Sequence, residues 1–199
     1  VIDKRQLRQQ KRRLRCHLSD NDQQLHANAV ARHLATLPHF KRSRRIALYF
    51  STKGEIDTTP LLQRLRHLGK KSYYPALHYR PAPLLWFIEH RKGEPLINNQ
   101  FSIPEPSIRL RQPTKPWALD LVIMPLVAFD ADCNRLGMGG GYYDRTFAYL
   151  NKRRFWRKPI LIGVAHECQR VANLESEVWD IPLDAVVTEE KIYVPSGAI

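Results

Sequence analysis

Cysteine is scarce in this chain. Cys16, Cys133 and Cys168 are odd in number and form no CxxC pair, which argues against a disulfide framework and against a structural zinc site. A reducing compartment suits them. Long apolar runs are missing as well: nothing approaches the roughly 20 residues that a membrane-spanning helix needs, and no signal-peptide-like segment opens the sequence. The expected location is the cytoplasm, with no membrane partner. Acidic residues are the third shortage. Nineteen Asp and Glu stand against thirty-two Lys and Arg, leaving a net charge of +13, so the partner or substrate is expected to be anionic. Nucleic acid, a nucleotide or a polycarboxylate would all satisfy that charge. No repeat, linker or low-complexity tract divides the 199 residues, a length that suits one domain with a sizeable core.

Glycine is also sparing, at nine residues, yet four of them (137, 139, 140 and 141) fall within five positions. They follow an apolar run, LVIMP, in the stretch 121–144, and precede Tyr142, Tyr143 and Asp144. Glycine lets backbone N–H groups converge on a bulky anion because no Cβ blocks the approach. The stretch therefore reads as a phosphate cradle where a strand leads into a helix. It matches neither familiar glycine motif. G-x-x-x-x-G-K-[ST] is absent, and a dinucleotide fingerprint starting at Gly137 would need glycine at 142, where Tyr142 stands.

In chain order, residues 3–17 combine Leu7 and Leu14, one heptad apart, with basic residues at seven positions. A helix there would dock a narrow apolar stripe and expose a basic face. A second helix is predicted from the Ser19 cap to Leu37, with Leu25, Ala29, Val30, His33 and Leu34 inward. The run 45–50 reads as a buried strand. A polar loop with Glu55 and Asp57 follows, then a helix over 59–68 and a strand over 71–75, together a right-handed βαβ unit. Prolines at 81, 83, 95, 104, 106, 113 and 116 punctuate the middle, where 84–90 reads as a strand and 101–106 as an extended segment. Strands are expected again over 119–125, 159–165 and 184–187, with a helix over 142–150. The alternation predicts an α/β fold: a mainly parallel central sheet flanked by helices in three Rossmann-like layers, one domain over 1–199.

Around the glycines, Arg135 and Arg145 can grip phosphate oxygens in a fork. Asp144 would be repelled by those phosphates unless a divalent cation sat between them, so a cradle that includes Asp144 implies magnesium. A structural reading stays open beside this one, in which the glycines make a tight turn and Asp144 caps the following helix. Glu55 and Asp57 are equally open to a solvated role. The eight histidines show no HExxH or other metal spacing and read as surface or satisfied core residues.

The run 134–145, NRLGMGGGYYDR, resembles the 5-formyltetrahydrofolate cyclo-ligase family. Further blocks resemble it in the right order: Lys4-Arg5-Gln6-Leu7-Arg8 near the start, residues 54–58 (GEIDT), 103–106 (IPEP) and 180–188 (DIPLDAVVT). The resemblance implies an ATP- and Mg2+-dependent conversion of 5-formyltetrahydrofolate, with or without a polyglutamate tail, to 5,10-methenyltetrahydrofolate, with release of ADP and phosphate. It implies ATP contacts from Lys4, Arg5, Gln6, Leu7 and Arg8 and from Arg135, Leu136, Gly137, Met138, Gly139, Gly140, Gly141, Tyr142 and Tyr143. Catalytic roles would fall to Arg135, Tyr143 and Asp144, and magnesium to Asp144 and Asp184. Phe50, Glu55, Ile103 and Pro104 would bind the folate. A monomer is expected, and nucleic acid is disfavoured as a partner because no RRM, KH or helix-turn-helix signature accompanies the charge. Many relatives have glycine where Cys133 stands, so Asn134 is expected to take over the left-handed turn. Some members carry lysine where this chain has Gly140, which shifts that charge to Lys4, Arg135 or Arg145.

Overall fold

Alternate residues of a strand face opposite ways, and over 121–125 both sets are apolar, so this strand offers no side to water. Leu121 and Ile123 enter one buried cluster, Val122 and Met124 another. The computed structural model describes residues 3–78, 84–109, 111–152 and 158–196; Pro81 and Pro83 of the punctuating prolines lie outside them. The first half of the chain forms α1 (Lys4–Cys16), α2 (Asp20–Thr36), α3 (Pro38–Arg42), β1 (Arg45–Ala47), α4 (Thr59–His67), β2 (Lys71–His78), β3 (Leu84–Glu89), β4 (Leu96–Asn98) and β5 (Pro104–Pro106). The second half forms β6 (Leu121–Pro125), β7 (Ala128–Phe129), β8 (Arg135–Leu136), α5 (Tyr142–Phe147), β9 (Ile160–Val164), β10 (Ala185–Val187) and β11 (Ile192–Tyr193).

Seven strands make the main sheet in the order β11-β10-β9-β6-β1-β2-β3. From β10 to β2 all pairings are parallel; β11 and β3 close the edges antiparallel. The expected mainly parallel α/β architecture is the one observed. On one face α2, α3 and α4 supply Val30, Leu34, Phe40, Leu61 and Leu65 against Ile46, Ile123, Ile162 and Val187. The other face packs Val122, Met124, Leu161 and Val186 against Phe147, Leu150, Phe129 and Leu183. Among the described residues, no helix is long and apolar enough to cross a membrane.

Three expectations need correcting. Leu14 and Leu25 are 44% and 57% exposed. The inner face of α2 runs through Ala27, Val30, Ala31 and Leu34, an i, i+3, i+4, i+7 series that puts Leu25 on the far side. In α1 the domain-facing line runs through Leu7, Lys11 and Arg15, whose cationic ends bond backbone carbonyls, so Leu14 is left at the rim. The helix expected over 142–150 tightens after Phe147 into a 3-10 turn over Ala148–Lys152. The segment 101–106 is the second half of a hairpin, with Asn98 paired to Pro104 and a turn between them.

Gly163, in β9, leaves room for two leucines from neighbouring connections. A Cβ there would lie 2.6 Å from Leu183 Cδ1 and 2.7 Å from Leu126 Cδ2. Overpacking of this kind costs about 1–3 kcal/mol. Gly163→Ala is therefore expected to lower the urea midpoint by that equivalent with an unchanged slope. An unshifted midpoint would show that the two leucines yield freely.

Candidate active site between β1 and β6

The chain leaves β1 for β2 on one side of the sheet and leaves β6 for β9 on the other. The connections diverge at the β1–β6 boundary, so the carboxyl ends of these strands open a crevice of the kind where open α/β sheets bind ligands. Residues 48–58 line one side of it and residues 126–141 the other. Helix α1 lies across the gap, its first turn capped by the Asp3 carboxylate, which accepts from the Arg5 amide at 3.0 Å.

Arg15 closes that arrangement. Its side chain is 1% exposed, and its guanidinium donates to the carbonyls of Lys53 (3.0 Å) and Leu126 (3.1 Å) and to Glu55 Oε1 (3.2 Å). One planar fork thus joins α1 to both loops of the crevice. Glu55 Oε2 also accepts from the Thr52 amide at 3.1 Å, so the carboxylate is fixed on both oxygens. Gly54 has φ +72°, and a Cβ there would stand 2.9 Å from the Arg15 carbonyl oxygen; only glycine lets the loop come this close to α1.

The opposite wall is not a direct strand-to-helix junction: a β7–β8 hairpin intervenes, with Ala128 opposite Leu136 and Phe129 opposite Arg135. Buried Asp130 organises the hairpin end, accepting from the amides of Asp132, Asn134 and Leu174 and from the Asn134 side chain. With both amides of Asn134 committed to Asp130, the left-handed position falls on Cys133 (φ 63°), not on Asn134 as the sequence led one to expect. That conformation costs a non-glycine residue roughly 1–2 kcal/mol.

The glycine turn then folds against α1. Arg8 Nε donates to the Gly137 carbonyl at 2.8 Å, and the Arg8 guanidinium carbon lies 3.7 Å from where a Gly139 Cβ would be. Arg135 and Asp144 form an ion pair, and Asp144 Oδ1 also accepts from the Ile181 amide at 3.3 Å. Arg135 Nε is buried with no hydrogen-bond partner among the described residues, a donor directed into the site. Burial raises the Tyr143 hydroxyl pKa, with the Glu55 carboxylate as the next cause; Tyr49 is raised by burial, then by Glu55 and Tyr143.

The aromatic wall comes from two places. Phe50 stacks on Tyr74 with ring centroids 4.2 Å apart, and Phe101 meets Tyr142 edge-on at 6.1 Å. Ile103 and Pro104 are half-buried in the β4–β5 hairpin, which is tied to β2 through Glu105 accepting from the Leu77 amide at 3.1 Å.

The sequence-derived residues divide accordingly. Arg8 bonds Gly137 and lies beside Gly139, Arg135 pairs with Asp144, and Glu55 pairs with Arg15, while Tyr143 follows the turn in α5. Gly140 and Gly141 complete the turn, and Met138 projects from it exposed. Leu7 and Leu136 are core residues packed together with Ala128 and Leu174. Lys4 pairs with Glu177 at 3.0 Å, while Arg5 and Gln6 are exposed. Asp184 is not brought to Asp144 by any contact among the described residues. It sits at the amino edge of the sheet, where its Oδ2 accepts from the Leu161 amide at 2.7 Å. Arg15, Tyr49 and Phe101 were missed; the Leu7–Lys11–Arg15 spacing was the one available signal, and it marks a face without revealing a buried guanidinium.

Removing one partner of a buried ion pair strands the other, at about 3–5 kcal/mol. Arg15→Met is expected to lose that much in urea denaturation, and Arg15→Met/Glu55→Gln to regain most of it. A single variant within 1 kcal/mol of the parent would refute the role given to this pair.

Glu55 supplies a pH test. Burial holds its carboxyl above the ordinary value of 4.5, outweighing Arg15 and Thr52. For a carboxyl with a raised folded pKa, the stability it contributes is fully present below the unfolded value near 4.5 and is lost as pH rises through the folded value. A carboxyl-carbon NMR titration should place the Glu55 midpoint above 4.5, and a midpoint at or below it overturns the burial argument.

Residues 2–189 match the model of the 5-formyltetrahydrofolate cyclo-ligase family. The chain is 40% identical over 182 residues to the 5-formyltetrahydrofolate cyclo-ligase of Escherichia coli strain K12, covering 92% of this chain and 98% of that one. Similarity to the Haemophilus influenzae protein of the same name is 39% over 180 residues, covering 90% and 94%. Among solved structures, the 5,10-methenyltetrahydrofolate synthetase of Aquifex aeolicus superposes with a TM-score of 0.79 at 33% identity, over 96% of this chain and 92% of that one. The Mycoplasma pneumoniae synthetase gives 0.73 at 25% identity, over 94% and 99%.

Proposed function

The chain belongs to the 5-formyltetrahydrofolate cyclo-ligase family and is a ligase of folate one-carbon metabolism, and we propose that it closes 5-formyltetrahydrofolate to 5,10-methenyltetrahydrofolate at the expense of ATP. The observation that carries this reading is the crevice itself, where a fixed carboxylate on one wall faces a glycine turn with arginines on the other, tied by Arg15.

In the proposed reaction the formyl oxygen, a poor leaving group, receives the γ-phosphoryl of ATP. N10 attacks the activated carbon, the ring closes, and the oxygen departs as phosphate. Little covalent help is needed from the protein; alignment and charge stabilisation supply the rate. Arg8, Arg135 and the 136–143 backbone take the triphosphate, with Lys4 able to exchange Glu177 for a phosphate. The unpartnered Arg135 Nε supports this assignment, because an anionic oxygen would satisfy it. Glu55 accepts from the N–H groups of the pterin. Phe50, Ile103 and Pro104 border its flat ring, and Phe101 extends that wall.

Asp144 is the residue suited to magnesium: a hard oxygen donor whose Oδ2 carries no hydrogen bond among the described residues. When bound, the ion would neutralise charge on the transferring phosphoryl group. Asp184, committed to Leu161, is left to a structural role.

Mixing the protein with 5-formyltetrahydrofolate and MgATP should yield the methenyl product, followed by its ultraviolet absorbance, and nothing without ATP or magnesium. Arg135→Met should lower kcat about 100-fold or more. Glu55→Gln should chiefly raise KM for the folate. Folded protein that forms no product ends the proposal.

A further inference from the structure

Behind the Glu55 loop, three side chains from distant parts of the chain meet. His26 projects from α2, His166 follows β9, and Glu189 follows β10, so two of the three stand at the carboxyl edge of adjacent parallel strands. His26 Nδ1 lies 2.9 Å from His166 Nδ1 and 3.4 Å from Glu189 Oε1. All three potential ligand atoms fall within 4.8 Å of one another. This cluster is separate from Asp144 and plays no part in the reaction above.

The tautomer of His166 is fixed by its surroundings. Its Nε2 is 3.1 Å from the Gly54 carbonyl oxygen, which can only accept, so Nε2 carries the proton and Nδ1 presents a lone pair to His26 and Glu189. A ligating histidine is ordinarily held in this way, with the non-ligating N–H on a carbonyl or carboxylate. His166 is fully buried, and its own amide donates to Gln169 Oε1 at 3.0 Å. Burial, followed by His26, lowers the imidazole pKa to about 4, which keeps it neutral as a ligand must be. Glu189 is oriented by the Glu167 amide, which donates to its two oxygens at 3.1 and 3.0 Å.

We propose that His26 Nδ1, His166 Nδ1 and a Glu189 carboxylate oxygen form a binding site for a zinc-class divalent ion, with water as the remaining ligand. Two nitrogens and one carboxylate are a three-ligand set typical of zinc and unsuited to magnesium, which prefers oxygen. Tetrahedral bonds of about 2.0–2.1 Å place neighbouring donors about 3.3 Å apart, and the distances of 2.9 and 3.4 Å bracket that value. The 4.8 Å limit leaves the carboxylate a short closing movement. Without metal, His26 carries its proton on Nδ1 and donates it to His166. Binding moves that proton to Nε2, so no charge has to leave the site. Since the same His166 ring holds Gly54, the ion would also anchor the loop that presents Glu55.

The test uses untagged full-length protein with excess MgCl2 and neither folate nor ATP, so that its outcome is independent of the proposed reaction. Zinc chloride is titrated against a chromophoric chelator of micromolar affinity. The expected result is one equivalent retained by the parent and a melting temperature raised by zinc, as binding to the folded state requires. His166→Gln, Glu189→Gln and the half-buried variant His26→Gln should each weaken binding about tenfold or more, while Cys168→Ser should not. Cobalt substituted into the parent should show the visible bands of a four-coordinate nitrogen and oxygen site without thiolate charge transfer, a readout that needs no variant to fold. Substoichiometric zinc in the parent, affinity unchanged in folded His26→Gln, or a thiolate band would each overturn the site.

Discussion

Arg15 holds the site together because a buried guanidinium cannot be left partly satisfied. Having crossed into the interior, it requires acceptors in the plane of its fork, and those acceptors are the Lys53 carbonyl, the Leu126 carbonyl and Glu55. Lys53 and Glu55 lie on the loop after β1 and Leu126 on the one after β6, so one desolvated cation fixes the position of a helix and of two loops that the sheet alone would leave separate. The geometry of Glu55, the approach of Gly54 and the seating of α1 over the crevice all follow from it. The pair adds little to stability compared with apolar packing, but breaking it is severe, and that asymmetry makes it a device of positioning.

The glycine turn obeys a related logic with the opposite sign of charge. Asp130 gathers four N–H donors to set the hairpin end, and the five following positions carry almost no side chains, so Arg8 can reach the Gly137 carbonyl from α1. Arginines from two elements thus arrive at one backbone segment. The net charge of +13, ambiguous in the sequence between nucleic acid and small anions, includes Arg8 and Arg135 in a crevice bordered by aromatic rings. This shape favours a small polyanion carried by a flat heterocycle.

Fold and site were not equally legible. The sheet could be read because doubly buried strands such as 121–125 and 160–164 are continuous apolar runs, and glycine and proline mark their ends. The inner faces of helices were harder: Leu14 and Leu25 are apolar but outward, since the partner of α1 is a row of carbonyls and α2 meets the sheet along the Ala27–Val30–Ala31–Leu34 line, which Leu25 is off. Within the site, the glycine cluster stood out by composition, whereas Glu55, open to a solvated role on its own, was marked by the family resemblance of residues 54–58. Arg15 did not stand out, because nothing in a basic segment distinguishes the one arginine that is swallowed from those that remain solvated. The left-handed residue went to Cys133 because the side-chain bonds of Asp130, which depend on tertiary contact with Leu174, decided against Asn134.

The histidines show the same limit from another side. Spacing rules detect ligands that share a helix or a hairpin, whereas His26, His166 and Glu189 are separated by 140 and 163 residues along the chain from the first to each of the others. Parallel topology is what assembles them. Successive strands β9 and β10 deliver their following residues to the same edge, and α2, lying on that face, supplies the third donor. In a parallel sheet every connection passes over this edge, so polar groups collect there whether or not one reaction needs them all. The Gly54 carbonyl on His166 Nε2 then links the second cluster to the first, since the loop it holds is the one that Arg15 grips from the other end.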